Sequence, residues 1–554
     1  MVREMANSWQ NQLEIISHNN HKNSLKNFSC RDSSHDHTKT KIKKANELNS
    51  QNDLENAYII FKEILSENTE NADALLGIAL ILEKQQKFDL AIKFLSKAFE
   101  SNPGNTQSLL MRGRIFRLQG RYENAISDFT EIISNYPDNF EAIIARGITF
   151  GQISQFTAAI NDFSLAGQVN PNCAEAFYNR GVVYEKMQQY DFAIEDYSVA
   201  IELNPHDYKA YNNRGVARRE TKCFEAAIKD FDKSVKINPD FAEGYYNKSL
   251  VLLSIGNLQE GFKLYEHRWK TPHFQPQVRH FMQPLWLGND DLAGKTILLH
   301  SEQGLGDSIQ FCRYIKFFEN MKCRVLLEIE KPLMTIMRCL LPRKNIFEKG
   351  SVLPAFDFHC PLMSLAHAFK VYKQSNFSFL PYLKPNFKRA QYWKKKITKQ
   401  GKPLVGIVWR GNPNHPRDLT RSIQLDQIQA CLDPKIDWLS LQKIPNNNEI
   451  EILNKNDIRD FSNEINDFGE TSAICAALDA LISVDTSAAH LSAACGFRTY
   501  ILLNGTTDWR WFQDDKTTPW YQSALLFRKS INEPWKTVLM EVQKQILFHQ
   551  AQNY

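Results

Sequence analysis

The sequence lacks the short motifs that mark several familiar classes of enzyme. Its ten cysteines are scattered and form no CxxC pair, so neither a redox dithiol nor a zinc site of the usual spacing is predicted. The HExxH motif of zinc proteases, the Walker A motif and the GxSxG motif of hydrolases are absent as well. Isolated thiols are typical of a reducing compartment, and we expect a cytoplasmic protein.

Long apolar runs and a strong excess of charge are also missing. No window approaches the roughly 18 apolar residues of a membrane span, and the N-terminal residues lack the apolar core of a signal peptide. The net charge of +5 over 554 residues is too small to indicate a nucleic-acid-binding face. Hydrophobic residues make up 43% of the chain, which is typical of a protein with several globular domains.

The first segment of the chain is compositionally unlike the rest. Residues 1–37 are rich in Asn, Ser, His and Lys and contain few apolar side chains. Such a segment buries too little apolar surface to offset the entropy that ordering would cost. We therefore predict a disordered leader that ends near residue 37, where a repeat begins.

A repeat with a period of 34 residues occupies the first half of the chain. Its markers are prolines (Pro103, Pro137, Pro171, Pro205, Pro239), glycines (Gly113, Gly147, Gly181, Gly215) and aromatic residues (Phe129, Phe163, Tyr197, Phe231, Tyr265). The proline ends a helix, the glycine lets two antiparallel helices approach, and the aromatic ring fills the space between hairpins. The pattern resembles the tetratricopeptide repeat (TPR), with about six and a half units over residues 38–268. Such units stack into an α-helical solenoid with a concave groove.

The composition and the spacing of residues change after the repeats. Residues 269–295 are punctuated by prolines and are predicted to form a linker. Beyond it, short apolar runs such as residues 404–409 alternate with stretches of helical spacing. This alternation predicts an α/β region with parallel sheets and helices on both faces. A basic, polar break near residue 400 divides the region into two Rossmann-like halves, 296–400 and 401–554.

The first candidate site follows the first predicted strand of this region. Gln303, Gly304, Gly306 and Asp307 form a strand-to-helix turn in which the glycines let the backbone pass close to a ligand. The alternative is that Asp307 does no more than cap the helix. The order of residues differs from the GxGxxG fingerprint, so no nicotinamide cofactor is predicted.

Two further candidate sites lie at strand ends in the second half. Trp409 ends an apolar strand, and the loop that follows carries Arg417 and Arg421, whose guanidinium groups suit the oxygens of a diphosphate. Asp485 is predicted to be the N-cap of a helix that carries Thr486 and His490, and this arrangement favours an anion. The alternatives are a solvated loop and a capped core helix with a buried histidine.

A fourth candidate site is a cluster of aromatic residues with an arginine. Residues 508–511 read Asp-Trp-Arg-Trp, which suits either stacking on a sugar or base, or packing within a core. The metal-binding DxD sequence of other sugar transferases is missing from the C-terminal half, and Asp230-Phe231-Asp232 falls in a repeat helix. We therefore expect no metal in the site.

Taken in order, the Gly306-Asp307 turn and the helix start with Asp485, Thr486 and His490 resemble motifs of the glycosyltransferase family nine heptosyltransferases. Those enzymes have the GT-B fold, in which two Rossmann-like halves enclose the active site. The resemblance extends from about residue 285 to the end, and many bacterial proteins fuse such a domain to TPR repeats. It implies that residues 296–400 form the acceptor-side half and residues 401–554 the donor-binding half.

The same resemblance implies roles for individual residues. Asp307 would be the base that activates the acceptor, in a loop with Gln303, Gly304 and Gly306. Thr486 and His490 would contact the donor phosphates. Arg421 would face the diphosphate, with Arg417 as the alternative. Trp409 and Asp485 complete the predicted donor site.

These patterns together predict an inverting, metal-independent glycosyltransferase that moves a sugar from a nucleotide-sugar to an acceptor. No cofactor is expected beyond the nucleotide-sugar, which is a co-substrate, and the acceptor is expected to be a protein held in the repeat groove. The alternative is an interaction scaffold whose second region is inactive or only binds a nucleotide. The two hypotheses differ in whether Asp307, Arg421, Thr486 and His490 converge on one cleft.

Overall fold

A computed structural model of the chain describes residues 31–372, 381–397, 401–413, 418–429, 432–505, 508–513, 516–530 and 533–552. Packing divides the chain into two compact units, residues 1–217 and residues 218–554. Most of the predicted leader, residues 1–30, lies outside the described residues, and so does Arg417.

The first unit is a row of antiparallel helical hairpins. Its helices are α1 (Arg31–Ser50), α2 (Leu54–Glu67), α3 (Ala72–Lys84), α4 (Phe88–Ser101), α5 (Thr106–Leu118), α6 (Tyr122–Asn135), α7 (Phe140–Gln152), α8 (Phe156–Val169), α9 (Ala174–Lys186), α10 (Tyr190–Leu203) and α11 (Tyr208–Glu220), the last of which continues past residue 217. Asn71, Asn105 and Asn139 cap the first helix of successive repeats through their side-chain oxygens. Among the described residues, helical structure begins at Arg31 rather than at the predicted residue 38, because the helix that buries Ala45 continues back through the polar segment.

The glycine markers lie where two helices approach, as the sequence predicts, but the aromatic rings pack within a hairpin rather than between hairpins. A Cβ atom added to Gly113 would lie 2.5 Å from Cε1 of Phe129, and one added to Gly147 would lie 2.9 Å from Cε1 of Phe163. Each ring therefore lies directly on the glycine of its own hairpin, and a larger side chain there would force the two helices apart. The prediction of an α-helical TPR solenoid is confirmed.

A ladder of ion pairs repeats with the same period of 34 residues. In each case an arginine of the first helix binds an aspartate of the second helix and also donates to a hydroxyl of the preceding repeat. The sets are Arg112 with Asp128 and Ser96, Arg146 with Asp162 and Thr130, and Arg180 with Asp196 and Ser164. The forked guanidinium thus fixes the register between neighbouring repeats.

The second unit begins with the end of the repeat array. After the remainder of α11 it contains α12 (Phe224–Ile237), α13 (Ala242–Ser254) and α14 (Leu258–Tyr265), and a 3-10 turn, Glu266–Lys270, follows α14. The side chains of Leu253, Leu258, Phe262 and Tyr265 are buried in one core with residues of the α/β region. The last repeat helices are therefore part of the unit that contains the sheets.

The α/β region contains two sheets, as the alternating pattern predicts. The first has the order β3-β2-β1-β4 and the second the order β10-β11-β9-β8-β5-β6-β7. The strands are β1 (Thr296–His300), β2 (Arg324–Ile329), β3 (Ile346–Glu348), β4 (Phe358–Pro361), β5 (Leu404–Val408), β6 (Asp437–Ser440), β7 (Arg459–Asp460), β8 (Ala480–Val484), β9 (Thr499–Leu503), β10 (Thr517–Thr518) and β11 (Tyr521–Arg528). Neighbouring strands are parallel except for β10 and β11.

Helices connect these strands, and a last helix follows the final strand. They are α15 (Leu305–Phe311), α16 (Met334–Met337), α17 (Leu365–Ala368), α18 (Phe387–Ile397), α19 (Asp418–Arg421), α20 (Leu425–Gln429), α21 (Asn447–Lys455), α22 (Phe468–Cys475), α23 (Ser487–Ala494) and α24 (Trp535–Gln552). Among the residues that the structure describes, no helix combines the length and the apolar character that a membrane span requires.

Each sheet has one point at which its strand order reverses. In the first sheet β1 lies between β2 and β4, and in the second β5 lies between β6 and β8. The connections leave such a central strand toward opposite sides, so a crevice opens at its carboxyl end. Open α/β sheets bind their ligands in that crevice. The fold therefore indicates two places for a site, one beyond β1 and β4 and one beyond β5 and β8.

The predicted linker, residues 269–295, is packed against the first sheet rather than extended between domains. Trp286 is buried against Phe318 and Phe369, and Leu285 pairs with His359 alongside β4. The proline spacing correctly indicates the end of the repeat period. It does not reveal that the apolar side chains between the prolines belong to the core.

We predict that the α/β region cannot be separated from the last repeat hairpin. A fragment that starts at residue 285 loses Leu253, Leu258, Phe262 and Tyr265 from its core. Burial of each is worth about 1.5–3 kcal/mol, so the sum approaches the whole stability of a domain, about 5–15 kcal/mol. We expect that fragment to bind a hydrophobic dye and to melt without cooperativity, while a fragment of residues 208–554 melts cooperatively. A cooperative melt of the shorter fragment would contradict the shared core.

Candidate functional site

Four loops converge where the two sheets approach each other within the second unit. The loop after β1 carries Asp307, the loop after β5 leads to Arg421, the loop after β8 carries Asp485, and the loop after β9 carries Arg510. All four follow the carboxyl ends of parallel strands. The sequence predicts these four loops as separate candidates, and their convergence follows from the topology.

Asp307 is held by one contact from each half of the α/β region. Its Oδ1 atom accepts a hydrogen bond of 2.5 Å from Nη2 of Arg510, and its Oδ2 atom accepts one of 2.9 Å from the backbone N–H of Gly304. Burial raises the pKa of the Asp307 carboxyl, and the charge of Arg510 opposes that shift. The side chain keeps 17% of its surface exposed, so a hydroxyl group of a ligand can still donate a hydrogen bond to it.

Arg510 connects this carboxylate to the second half. Its Nη1 atom donates to Oδ1 of Asp508 at 2.7 Å, and its guanidinium lies 4.4 Å from the ring centre of Trp509. Burial alone would lower the pKa of Arg510, but Asp307 and Asp508 raise it above its usual value, so the group stays charged. The sequence indicates Arg510 only as part of an aromatic cluster, because its partner Asp307 is 203 residues away.

His490 lies beneath the loop of Asp307 and is not free to bind a phosphate. A Cβ atom on Gly306 would lie 2.9 Å from Cδ2 of His490, and the imidazole stacks on Trp511. Its Nδ1 atom is 2.8 Å from the hydroxyl of Tyr521. Burial, with a smaller contribution from Arg510, lowers the pKa of His490 to about 3. The predicted phosphate contact is therefore not supported, and the neutral histidine joins the two halves through packing.

Thr486, rather than Asp485, is the N-cap of α23. Its side-chain oxygen accepts a hydrogen bond from the backbone N–H of Ala489 and lies 2.8 Å from Oγ of Ser483. The predicted cap at Asp485 is wrong by one residue, which leaves the Asp485 carboxylate facing the site. Its Oδ1 atom is 3.7 Å from Nε2 of His490, and burial raises its pKa.

Arg421 joins the ends of β5 and β8, at the crevice of the second sheet. Its Nη1 atom donates to the backbone oxygen of Asp485 at 3.3 Å, and its Nε atom donates to Oδ1 of Asp418 at 3.3 Å. A Cβ atom on Gly411 would lie 2.4 Å from Nη2 of Arg421, so the guanidinium lies directly on that glycine. The side chain keeps 22% of its surface exposed.

Trp409 does not line the site, contrary to the prediction. It is fully buried, and its indole N–H donates to Oε1 of Glu449 at 2.6 Å. Arg410 binds both oxygens of the same carboxylate. The run of apolar residues in β5 simply continues through Trp409 into the core.

The residues of the predicted acceptor loop have different surroundings. Gly304 is exposed, whereas Gly306 packs on His490. The Nε2 atom of Gln303 donates to the hydroxyl of Tyr265 at 2.8 Å, so Gln303 faces α14. Within the described ranges, no three His, Cys, Asp or Glu side chains are grouped so that they could hold a metal ion.

Comparison with known proteins identifies the first part of this architecture. Two family models described as tetratricopeptide repeat match the chain, one at residues 174–207 and 208–241 and the other at residues 43–106 and 76–140. The chain therefore carries TPR repeats, followed by an α/β region with parallel sheets.

Among individual proteins, Protein FlbA of Caulobacter vibrioides is 24% identical over an alignment of 336 residues, and the match covers 53% of this chain and 53% of FlbA. The chain thus matches about half the length of this curated relative. The crystal structure of YrrB, a TPR protein with an unusual peptide-binding site, is 23% identical, covers 34% of this chain and 98% of YrrB, and has a TM-score of 0.30. A MamA structure is 28% identical, covers 30% of this chain and 97% of MamA, and has a TM-score of 0.28.

We predict that His490 destabilises the second unit in acid. In the folded protein its pKa is about 3 instead of 6.5, so between these values the unfolded chain binds a proton that the folded chain does not. The free energy of unfolding then falls with falling pH, by up to about 1.4 kcal/mol per pH unit for one proton.

Urea unfolding of residues 208–554 from pH 6.5 to 4.5 tests this. We expect the slope against pH to become shallower by about one proton in His490→Gln, and to stay unchanged in His273→Gln, the same substitution at an exposed position. An identical slope in the His490 variant and its parent would show that the imidazole titrates normally.

Proposed function

We propose that the second unit is a glycosyltransferase domain that moves a sugar from a nucleotide-sugar to an acceptor hydroxyl. The observation that carries this proposal is the convergence of Asp307, which belongs to the first sheet, with Arg510, Arg421 and the start of α23, which belong to the second. A carboxylate on one side and guanidinium groups with a helix N-terminus on the other suit a reaction that takes up a proton and releases an anion.

Asp307 is suited to the role of general base. The acceptor hydroxyl gives its proton to the carboxylate, its oxygen forms a bond to the anomeric carbon, and the bond from that carbon to the phosphate oxygen breaks. A carboxylate has about four acceptor positions, of which Arg510 and Gly304 use two. Burial raises its pKa toward the working pH, which favours proton transfer.

Arg421 and the N-terminus of α23 suit the leaving group. The nucleoside phosphate leaves as an anion, and the crevice beyond β5 and β8 presents it with a guanidinium and the N-terminal turn of α23. Arg421 is held at that crevice by Asp418 and by the backbone of Asp485. Such fixed charges stabilise developing negative charge without the cost of reorganising solvent.

The repeats suggest that the acceptor is a protein. TPR repeats form protein-interaction scaffolds, and those of the first unit precede the proposed transferase domain in the same chain. A protein bound by the repeats would be presented to the site at a high effective concentration.

A second candidate is a scaffold in which the second unit binds a nucleotide or is inactive. The observation that favours it is that two of the predicted donor contacts, Thr486 and His490, are satisfied by groups within the protein. Measurements of donor affinity and turnover on the same variants separate the two candidates.

We predict that Asp307→Asn abolishes transfer and that Asp508→Asn does not. Both substitutions remove a carboxylate from Arg510, but only the first removes the base, which is worth about 10²–10⁴ in rate. Asparagine has a single acceptor oxygen, so one of the N–H groups that now bind Asp307 would face another donor. This is expected to cost about 1–3 kcal/mol, and the variant should melt below its parent.

Product formation is therefore measured at a temperature at which both variants are folded. Equal losses in the two variants would indicate that the charge balance of Arg510 matters and that Asp307 is not the base. Activity of Asp307→Asn equal to that of the parent would remove the catalytic role altogether.

We also predict that Arg421→Ala weakens donor binding about ten- to a hundredfold, because it removes charge-assisted hydrogen bonds worth about 1.5–3 kcal/mol. The matched control is Arg389→Ala, which removes a bidentate pair with Glu470 on the surface and should leave donor affinity unchanged. Calorimetry with nucleotide-sugars gives both values. Equal affinity of the two variants would make Arg421 a structural residue.

A further inference from the structure

A fully buried arginine at the end of the repeat array forms hydrogen bonds with several polar side chains. Arg268 lies in the 3-10 turn after α14, and its side chain has no exposed surface. Its Nε and Nη2 atoms donate to the two oxygens of Glu302 at 2.8 and 2.9 Å. Further hydrogen bonds join it to Ser364 at 2.8 Å and to Glu266 at 2.9 Å.

These partners lie in the crevice of the first sheet. Glu302 follows β1 and Ser364 follows β4, and the Oε1 atom of Glu302 also accepts from the backbone N–H of Met363. Beyond these two strands an open α/β sheet would bind a ligand. Here the guanidinium of Arg268 fills that position.

The crevice is directly connected to the loop that carries Asp307. Glu302 and Gln303 belong to that loop, and each is held by the end of the repeat array. Arg268 binds Glu302, and the hydroxyl of Tyr265 accepts from Gln303 at 2.8 Å. Two neighbouring contacts thus restrain the path of the backbone toward Asp307.

The same helix also contacts the segment that carries Arg510. The ring centre of Trp509 lies 5.8 Å from that of Phe262 and 6.4 Å from that of Tyr265. Trp509 is the neighbour of Arg510 in sequence, and its ring lies under the guanidinium. Helix α14 therefore touches both chain segments whose side chains form the pair of Asp307 and Arg510.

We propose that Arg268 is a positioning residue for sugar transfer: by binding Glu302 in the crevice of the first sheet, it sets the place of Asp307 in the site. The catalytic part of this inference rests on the proposed function, and the structural part does not. Arg268 touches no reacting atom and acts through the loop.

The nature of the contact favours positioning over stability. A buried ion pair is weak evidence for stability, because the attraction is largely offset by the loss of hydration. A bidentate pair does fix distance and direction. A displacement of about 1 Å in a catalytic group can cost about a hundredfold in rate, so restraint of this loop has a large effect on turnover.

The test compares Arg268→Lys with Arg279→Lys in the full chain. Arg279 binds Glu328, whose side chain is fully buried in the same half and also accepts from the backbone N–H of Gly350. The backbone oxygen of Glu328 accepts from the N–H of Ser301 at the start of the loop, a contact that the substitution of Arg279 leaves in place. Both variants keep the charge and lose the forked geometry. A milder second variant, Tyr265→Phe, removes only the hydroxyl that binds Gln303 and is expected to fold.

Three measurements are made on each variant. Deuterium exchange of the peptide 301–311 reports the loop, because the N–H of Gly304 is protected by its bond to Asp307. Steady-state kinetics give kcat, and calorimetry gives donor affinity. For Arg268→Lys we expect exchange in this peptide at least tenfold faster, kcat lower by ten- to a hundredfold, and donor affinity within twofold of the parent. Tyr265→Phe should change in the same direction by less, and Arg279→Lys should change neither.

The outcomes separate this inference from the proposed function. Unchanged exchange in Arg268→Lys and Tyr265→Phe overturns the positioning role whether or not the parent transfers sugar. Faster exchange with an unchanged kcat in an active parent overturns the catalytic consequence. Faster exchange in a parent that consumes no nucleotide-sugar upholds the structural link and contradicts the transferase proposal instead. If Arg279→Lys changed exchange and kcat as much as Arg268→Lys does, the effect would be general destabilisation, and the positioning role would be overturned.

Discussion

The contact between Asp307 and Arg510 is the constraint around which the second unit is arranged. The two groups belong to different sheets, and both are largely removed from water, where either charge alone would be strongly unfavourable. Each is given additional partners: Gly304 for the carboxylate, and Asp508 and the face of Trp509 for the guanidinium. Because this pair needs both halves, the packing of His490 under Gly306 and of α14 against Trp509 serves to keep the halves together.

The end of the repeat array is part of the second unit and packs against its two sheets. Helices α13 and α14 share one core with both sheets, and Arg268 fills the crevice of the first sheet. The crevice of the second sheet, beyond β5 and β8, contains Arg421. A single unit thus joins the end of a protein-interaction scaffold to a candidate transfer site, which is the basis for proposing a protein acceptor.

The repeats could be predicted in detail because their information is local. A proline, a glycine and an aromatic ring at fixed spacing mark the hairpins between residues 106 and 237, and Gly113 and Phe129 meet within one of them. The alternation of strands likewise indicates the α/β class. The site was predicted less well. Trp409 continues an apolar strand into the core, and nothing in its neighbourhood reveals the buried carboxylate of Glu449 that binds it. His490 is buried by a loop from the other half, and Arg510 finds its partner 203 residues away. Such contacts depend on tertiary packing, which no local pattern encodes.

The most direct measurement of the central claim is the release of nucleotide from a panel of nucleotide-sugars, compared between the full chain and residues 208–554. If the second unit contains the transfer site and the repeats present a protein acceptor, both proteins release nucleotide slowly from the same donor. Only the full chain then transfers the labelled sugar to protein. If neither protein binds or consumes any nucleotide-sugar, the transferase proposal is contradicted and the chain is an interaction scaffold.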